Sequence, residues 1–324
     1  MENRIIGNTA LVSFLNKLVD ADKMPTAVLL AGPAMVGKAT ILESIAKRII
    51  CTERTVCGKC AGCLVGVGNH PDVLRLGPSE EESLRKGISN LLKRIYQKPV
   101  LGNKLIVFLE NIDEFHWASS PLLLKVLEDA PTFVIFFLTA ENLDAVLPTI
   151  RSRSMVRLVS PIDQKTFKEE LSQRFAVGEM HELPQAGEVS PSSQTGVNGV
   201  DLIDQIVSLA GGRPGLALRL FGDSELREKY KSWRANLSNM SDKTIGERSQ
   251  FAETIEKAGD GKEVINLLQS LLRDRVAEVA MTEKEHIANS KNFFGTIRRS
   301  REATAMFKAN IPQRLVLEYV FFNQ

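Results

Sequence analysis

Short unbroken apolar runs alternate with helically spaced apolar positions through the first 160 residues. Ala27–Ala31, Leu105–Leu109 and Val134–Leu138 are apolar at every or nearly every position, and Val73–Leu76 nearly so. Such runs predict strands covered on both faces. Between them lie amphipathic stretches. Asn8–Ala21 carries Leu11, Phe14, Leu15 and Leu18 at helical spacing; the segment from Lys38 through Ile49, Glu80–Gln97 and Pro121–Glu128 read the same way. Strands alternating with helices predict an α/β module with a parallel, helix-covered sheet.

The pattern changes after residue 160. Ile162–Phe175 reads as a helix. The segment 177–199, rich in Pro, Gly and Ser and without periodicity, reads as a mobile loop or insertion. Asp201–Leu220 is helical, interrupted by Gly211-Gly212-Arg213-Pro214-Gly215. From Asp223 onward the spacing is helical throughout, and Val264, Leu267, Leu268, Leu271, Leu272 and Val276 form one apolar stripe. Three domains are expected: 1–160 as the α/β module, 161–222 as a small helical one, 223–324 as an all-helical one.

Composition narrows the class. The chain has 324 residues, 25% of them charged, and a formal net charge of only +2. That charge is too small for a polycation, so nucleic-acid contact would need a local patch or partners. The first residues lack the charged and apolar regions of a signal peptide. Runs such as Phe133–Leu138 fall far short of the ~20 residues of a membrane span. A cytoplasmic protein is expected, with reduced thiols.

A phosphate cradle follows the first strand. Gly32-Pro33-Ala34-Met35-Val36-Gly37-Lys38-Ala39-Thr40 lies between strand and helix, as a P-loop requires. Gly32 and Gly37 permit the tight path, the helix N-terminus favours an anion, and Lys38 is placed to reach the β- and γ-phosphates. The following position normally gives Mg²⁺ a hydroxyl; here it is Ala39. Thr40 stands roughly 100° further round the helix. An active ATPase of this kind also ends its third strand in Asp-Glu, for Mg²⁺ and for the attacking water. Here the strand ends in Glu110-Asn111, and the amide cannot accept a proton. Asp113 and Glu114 restore an acidic pair only if the register slips by three residues. ATP or ADP binding with slow or absent hydrolysis is expected.

Four cysteines, Cys51, Cys57, Cys60 and Cys63, follow the P-loop helix, and the chain has no others. Four thiolates so close suit a structural Zn²⁺ with no open position; buried free thiols and an iron–sulfur cluster are the alternatives. Arg153, in Arg151-Ser152-Arg153-Ser154, is either part of a solvated basic turn or a finger offered to a neighbour's phosphate. His70, in Asn69-His70-Pro71-Asp72, fits a turn better than a ligand. Arg213 lies in a loop between helices, and Arg298-Arg299-Ser300-Arg301 reads as a solvated face.

Together, the zinc module after the P-loop helix, the His70-Pro71-Asp72 turn and the Ser152-Arg153 turn resemble bacterial DNA polymerase III clamp-loader AAA+ subunits. Pro121–Pro131 looks like that family's leucine-rich helix with lysine and glutamate, and Asn310–Glu318 is similar to its last collar helix. The resemblance covers nearly the whole chain and is nearest the delta-prime type, in which hydrolysis is impaired and the arginine finger kept. It implies an AAA+ domain with a zinc insert, a helical lid and a helical collar. Arg153 would be the finger, with Ser154 where the family has Cys. The lid arginine that senses nucleotide aligns near Gly215, so that contact is expected to be lost. Implied partners are gamma/tau- and delta-type subunits in a hetero-oligomeric ring, with the sliding clamp and primed DNA reached through the complex. A gamma/tau-like motor ATPase is the alternative. A DNA-binding zinc protein is disfavoured by the near-neutral charge.

Overall fold

The structure is a computed structural model that describes residues 5–115, 120–176, 199–281, 290–308 and 311–322. The expected loop at 177–199 lies, except for Gly199, outside the described residues, as does Asn310. By its internal contacts the chain forms two compact units, Met1–Glu170 with Arg213–Gly215, and Leu171–Gly212 with Leu216–Gln324.

The first unit runs α1 (Thr9–Asp20), β1 (Ala27–Ala31), α2 (Lys38–Ile50), α3 (Ala61–Asn69), β2 (Val73–Leu76), α4 (Glu81–Ile95), β3 (Leu105–Leu109), α5 (Ser120–Glu128), β4 (Val134–Ala140), α6 (Pro148–Ser152) and β5 (Met155–Leu158). The five strands form one sheet, all neighbours parallel, in the order β2-β3-β4-β1-β5. Successive side chains of a strand point to opposite faces. Leu29, Val107, Phe136 and Leu138 therefore pack on one side with Leu84, Ile88 and Leu91 of α4 and Leu123 and Val126 of α5. Val28, Leu30, Ile106, Phe108 and Phe137 pack on the other with Leu15 of α1 and Ile41, Leu42 and Ile45 of α2. Two covered faces explain why β1, β3 and β4 are buried at every residue.

The second unit is helical: α7 (Gln164–Ala176) enters it, and α8 (Gly199–Ala210), α9 (Pro214–Gly222), α10 (Ser224–Ser238), α11 (Ile245–Ala258), α12 (Gly261–Met281), α13 (Ser290–Lys308) and α14 (Gln313–Phe322) follow. The expected stripe of α12 is buried at Val264, Leu267, Leu268 and Leu272. Val276, one turn on, is exposed, so the buried face ends sooner than the spacing predicts. α11 begins at a capping box, with Thr244 accepting the Glu247 N–H and Glu247 accepting the Thr244 N–H. Buried Arg248, one residue later, donates to the carbonyls of Lys243, Ser241 and Phe321 and so ties α11 to the end of α14.

Candidate functional site

Parallel strands bring their C-terminal ends to one edge of the sheet, where ligands of open α/β sheets bind. The segment after β1 turns there. Gly32 donates its N–H to the Ala140 carbonyl at 3.1 Å. A Cβ on Gly32 would stand 2.1 Å from the Val159 carbonyl oxygen, so no other residue fits. Gly37 caps α2 with φ 97°, in the left-handed region that favours glycine. The Lys38 ammonium is buried and folds back onto its own loop, donating to Gly32 O at 2.7 Å and Pro33 O at 2.8 Å. Burial pushes its pKa down, against the opposing charges of Glu141 and Asp113. The loop thus has the backbone of an anion cradle with its cation already inside. Ala39 and Thr40 are both exposed on the first turn of α2.

The end of β3 carries Glu110 and then Asn111. The Glu110 carboxylate accepts from Arg75 Nη1 at 2.9 Å. Arg75, on β2, reaches Glu43 of α2 with Nη2 at 2.7 Å and lies 4.3 Å from the Phe108 ring centre. Asn111 adopts φ 49° and donates its N–H to Thr139 Oγ1 at 2.9 Å. Asp113, the nearer residue of the displaced acidic pair, accepts the N–H groups of Glu141 at 3.2 Å and Asn142 at 2.9 Å. That carboxylate fixes the turn after β4. A hydrated Mg²⁺ requires oxygen ligands. These residues do not fit one: position 39 presents a methyl group, and Glu110 already holds a guanidinium.

The cysteines do gather. Cys51 ends α2, Cys60 caps α3 and Cys63 lies in its first turn. All four sulfurs lie within 4.8 Å of one another, near the ~3.8 Å spacing that tetrahedral Zn–S bonds impose. Backbone N–H groups of Thr52 and Cys63 draw the Cys60 pKa down to about 6, whereas burial and the adjoining thiols push Cys63 up to about 12. Four thiolates this close cannot all ionise without a cation among them. The donor set and spacing fit Zn²⁺, which Cys51, Cys57, Cys60 and Cys63 would hold as a closed structural site. Gly62 belongs to the same design, since a Cβ there would meet the Ile50 carbonyl at 2.3 Å.

Arg153 follows α6, exposed at the surface. Its Nη2 pairs with Glu128 Oε1 at 2.7 Å, at the end of α5, and its Nη1 donates to Thr149 O at 3.1 Å. Ser154 turns inward and donates to Ile150 O.

His70 and Asp72 shape a turn. His70 Nδ1 accepts the Asp72 N–H at 3.1 Å, and burial lowers the imidazole pKa against the charge of Asp72. Asp72 is fully buried and accepts N–H groups from Val100, Leu101 and Gly102, with Arg94 Nη2 at 3.1 Å. The motif therefore organises the loop before β3. Neither this loop anchor nor the Arg75 and Glu128 pairings is visible in the sequence, because each joins residues 22 or more apart. Gly215, where the lid arginine was expected to align, donates its N–H to Met35 O in the P-loop at 2.9 Å. Arg213 is buried. Among the described residues no helix is long and apolar enough to cross a membrane.

Comparison with known sequences gives similarity to DNA polymerase III subunits. Residues 7–163 match the family model described as DNA polymerase III, delta subunit. The chain is 29% identical over 202 residues to the DNA polymerase III subunit delta' of Pseudomonas aeruginosa, covering 60% of this chain and 56% of that protein. It is 24% identical over 172 residues to the tau/gamma subunit of Haemophilus influenzae, covering 52% of this chain and 25% of that one. The match to the delta' relative thus spans little more than half of its length. A solved gamma-subunit-related protein from Thermotoga maritima aligns over 96% of this chain and 97% of its own, at 15% identity and a TM-score of 0.46.

Proposed function

We propose that the chain is a DNA polymerase III clamp-loader subunit, as its similarity to that family supports, and that it is of the delta-prime type, hydrolyses little or no ATP itself and lends Arg153 to a neighbouring ATPase subunit. The carrying observation is the contrast between its two halves of ATP chemistry. The inward half lacks its catalytic groups: Ala39 offers no oxygen, Asn111 no base, and Glu110 is held by Arg75. The outward group is present, with Arg153 exposed just after α6. Gly32, Gly37 and Lys38 remain as a cradle for ATP or ADP, with Thr40, Glu110 and Asn111 as its degenerate margin. Residues 161–222 serve as lid and 223–324 as collar in a cytoplasmic hetero-oligomeric ring with gamma/tau- and delta-type subunits. That ring places the sliding clamp on primed DNA.

Arg153 would act by charge. A guanidinium aimed at another subunit's transferring phosphoryl group stabilises charge that grows in the transition state. To reach it, Arg153 exchanges Glu128 and the Thr149 carbonyl for phosphate oxygens. Zn²⁺ at Cys51, Cys57, Cys60 and Cys63 would only fix the segment between α2 and α3.

A motor ATPase of the gamma/tau type is the second reading, favoured by the intact Gly32, Gly37 and Lys38 and by the tau/gamma similarity. ATP turnover by the purified chain with Mg²⁺ separates the two. The proposal expects none above a Lys38→Ala control; turnover that Lys38→Ala abolishes would establish the motor instead.

A further inference from the structure

We propose that Arg75 takes the place of the divalent cation at the end of β3, so that the P-loop binds its nucleotide without metal. The inference rests on the retained cradle proposed above and concerns how that cradle is charged. Three observations carry it. Position 39 supplies a methyl group where a metal needs oxygen. Glu110, the first carboxylate after β3, is engaged by Arg75 Nη1 at 2.9 Å. The guanidinium is fixed from two further sides, by Glu43 at 2.7 Å and by the Phe108 ring.

A guanidinium keeps its proton at any ordinary pH and offers forked donors that suit carboxylates. Its positive charge is therefore permanent, and it is shared between a residue of the P-loop helix and a residue of the strand end. A dication arriving there would have to displace it and would gain no hydroxyl ligand in return. Asp113 accepts the Glu141 and Asn142 N–H groups, and its charge and that of Glu141 bear on the buried Lys38 ammonium. The charge facing the phosphates then comes from Lys38, which leaves Gly32 O and Pro33 O for phosphate oxygens, and from the N-terminus of α2. The ligand class is a nucleoside di- or triphosphate in its metal-free form.

Calorimetric titration of the full-length chain with ADP tests this, in buffer stripped of divalent ions over resin and again with millimolar Mg²⁺. Stripping the buffer instead of adding chelator spares the Zn²⁺ proposed at the four cysteines. The wild-type affinity is expected to be no tighter with Mg²⁺ than without it, and weaker to the extent that Mg²⁺ holds ADP as its complex, since a site for the metal-free form gains nothing from the metal. The double variant Ala39→Thr/Arg75→Met restores a hydroxyl and frees Glu110, and it is expected to bind ADP about tenfold more tightly with Mg²⁺. Wild-type binding about tenfold tighter with Mg²⁺ would overturn the metal-free site while leaving the cradle standing. A folded double variant indifferent to Mg²⁺ would remove Arg75 from that role. No heat from ADP in either buffer would overturn the retained cradle, and this inference with it. Should the double variant fail to fold, the wild-type comparison decides alone.

Discussion

At the scale of single residues, Asp72 shows how one carboxylate can set a loop. Burial alone would raise its pKa, but three backbone N–H groups outweigh that and lower it below the ordinary 3.8. A group with a depressed folded pKa stabilises the fold fully above its unfolded value, and that contribution fades as pH falls through the folded one. Asp72→Asn is therefore expected to cost roughly 3 kcal/mol at neutral pH. It should also flatten the loss of stability below about pH 3.8, read from denaturant titrations across pH. Arg248 makes a similar case in the helical unit. Arg248→Met would leave the Phe321, Ser241 and Lys243 carbonyls without their shared donor and is expected to cost about 3 kcal/mol, measured by urea unfolding. Arg248 did not stand out in the sequence, and Asp72 did so only within the His70-Pro71-Asp72 turn, since a buried charge declares itself through partners that the fold supplies.

At the scale of elements, apolar runs were the legible part. β1 and β3 occupy the residues that the runs mark, because strands buried on both faces leave no room for polar side chains, and β2 does so as a half-buried edge strand that carries Arg75. β5 escaped notice. It is an edge strand with two exposed residues, so Met155–Leu158 shows no unbroken run. α3 was missed for another reason: four of its nine residues are Gly or Cys, and Gly66 breaks its geometry with φ 72°. The cysteine spacing did mark the cluster, because ligands close in sequence need no tertiary fold to meet. Metal removal is expected to loosen that segment. Chelation, or Cys60→Ser, should release or weaken about one bound Zn²⁺ per chain, counted by atomic emission. It should also lower the melting temperature of the chain by roughly 10 °C, as the loss of about 3 kcal/mol would.

At the scale of the whole molecule, the proposed role divides ATP chemistry between neighbours. The chain keeps the cradle residues Gly32, Gly37 and Lys38, ties Glu110 to Arg75, and leaves Arg153 on the outside with Glu128 as its resting partner. Glu128→Gln is expected to leave ring assembly unchanged and to alter the neighbour's ATPase less than about fivefold, because an exposed ion pair holds the guanidinium only weakly. The central claim is that Arg153 acts on another subunit's nucleotide. It is tested most directly by the DNA-stimulated ATPase rate of a reconstituted ring carrying Arg153→Ala in this subunit alone, with assembly checked by gel filtration. The account predicts an intact ring whose turnover at the adjoining site falls on the order of 10³-fold. An intact ring hydrolysing ATP at the unaltered rate at that site would contradict it.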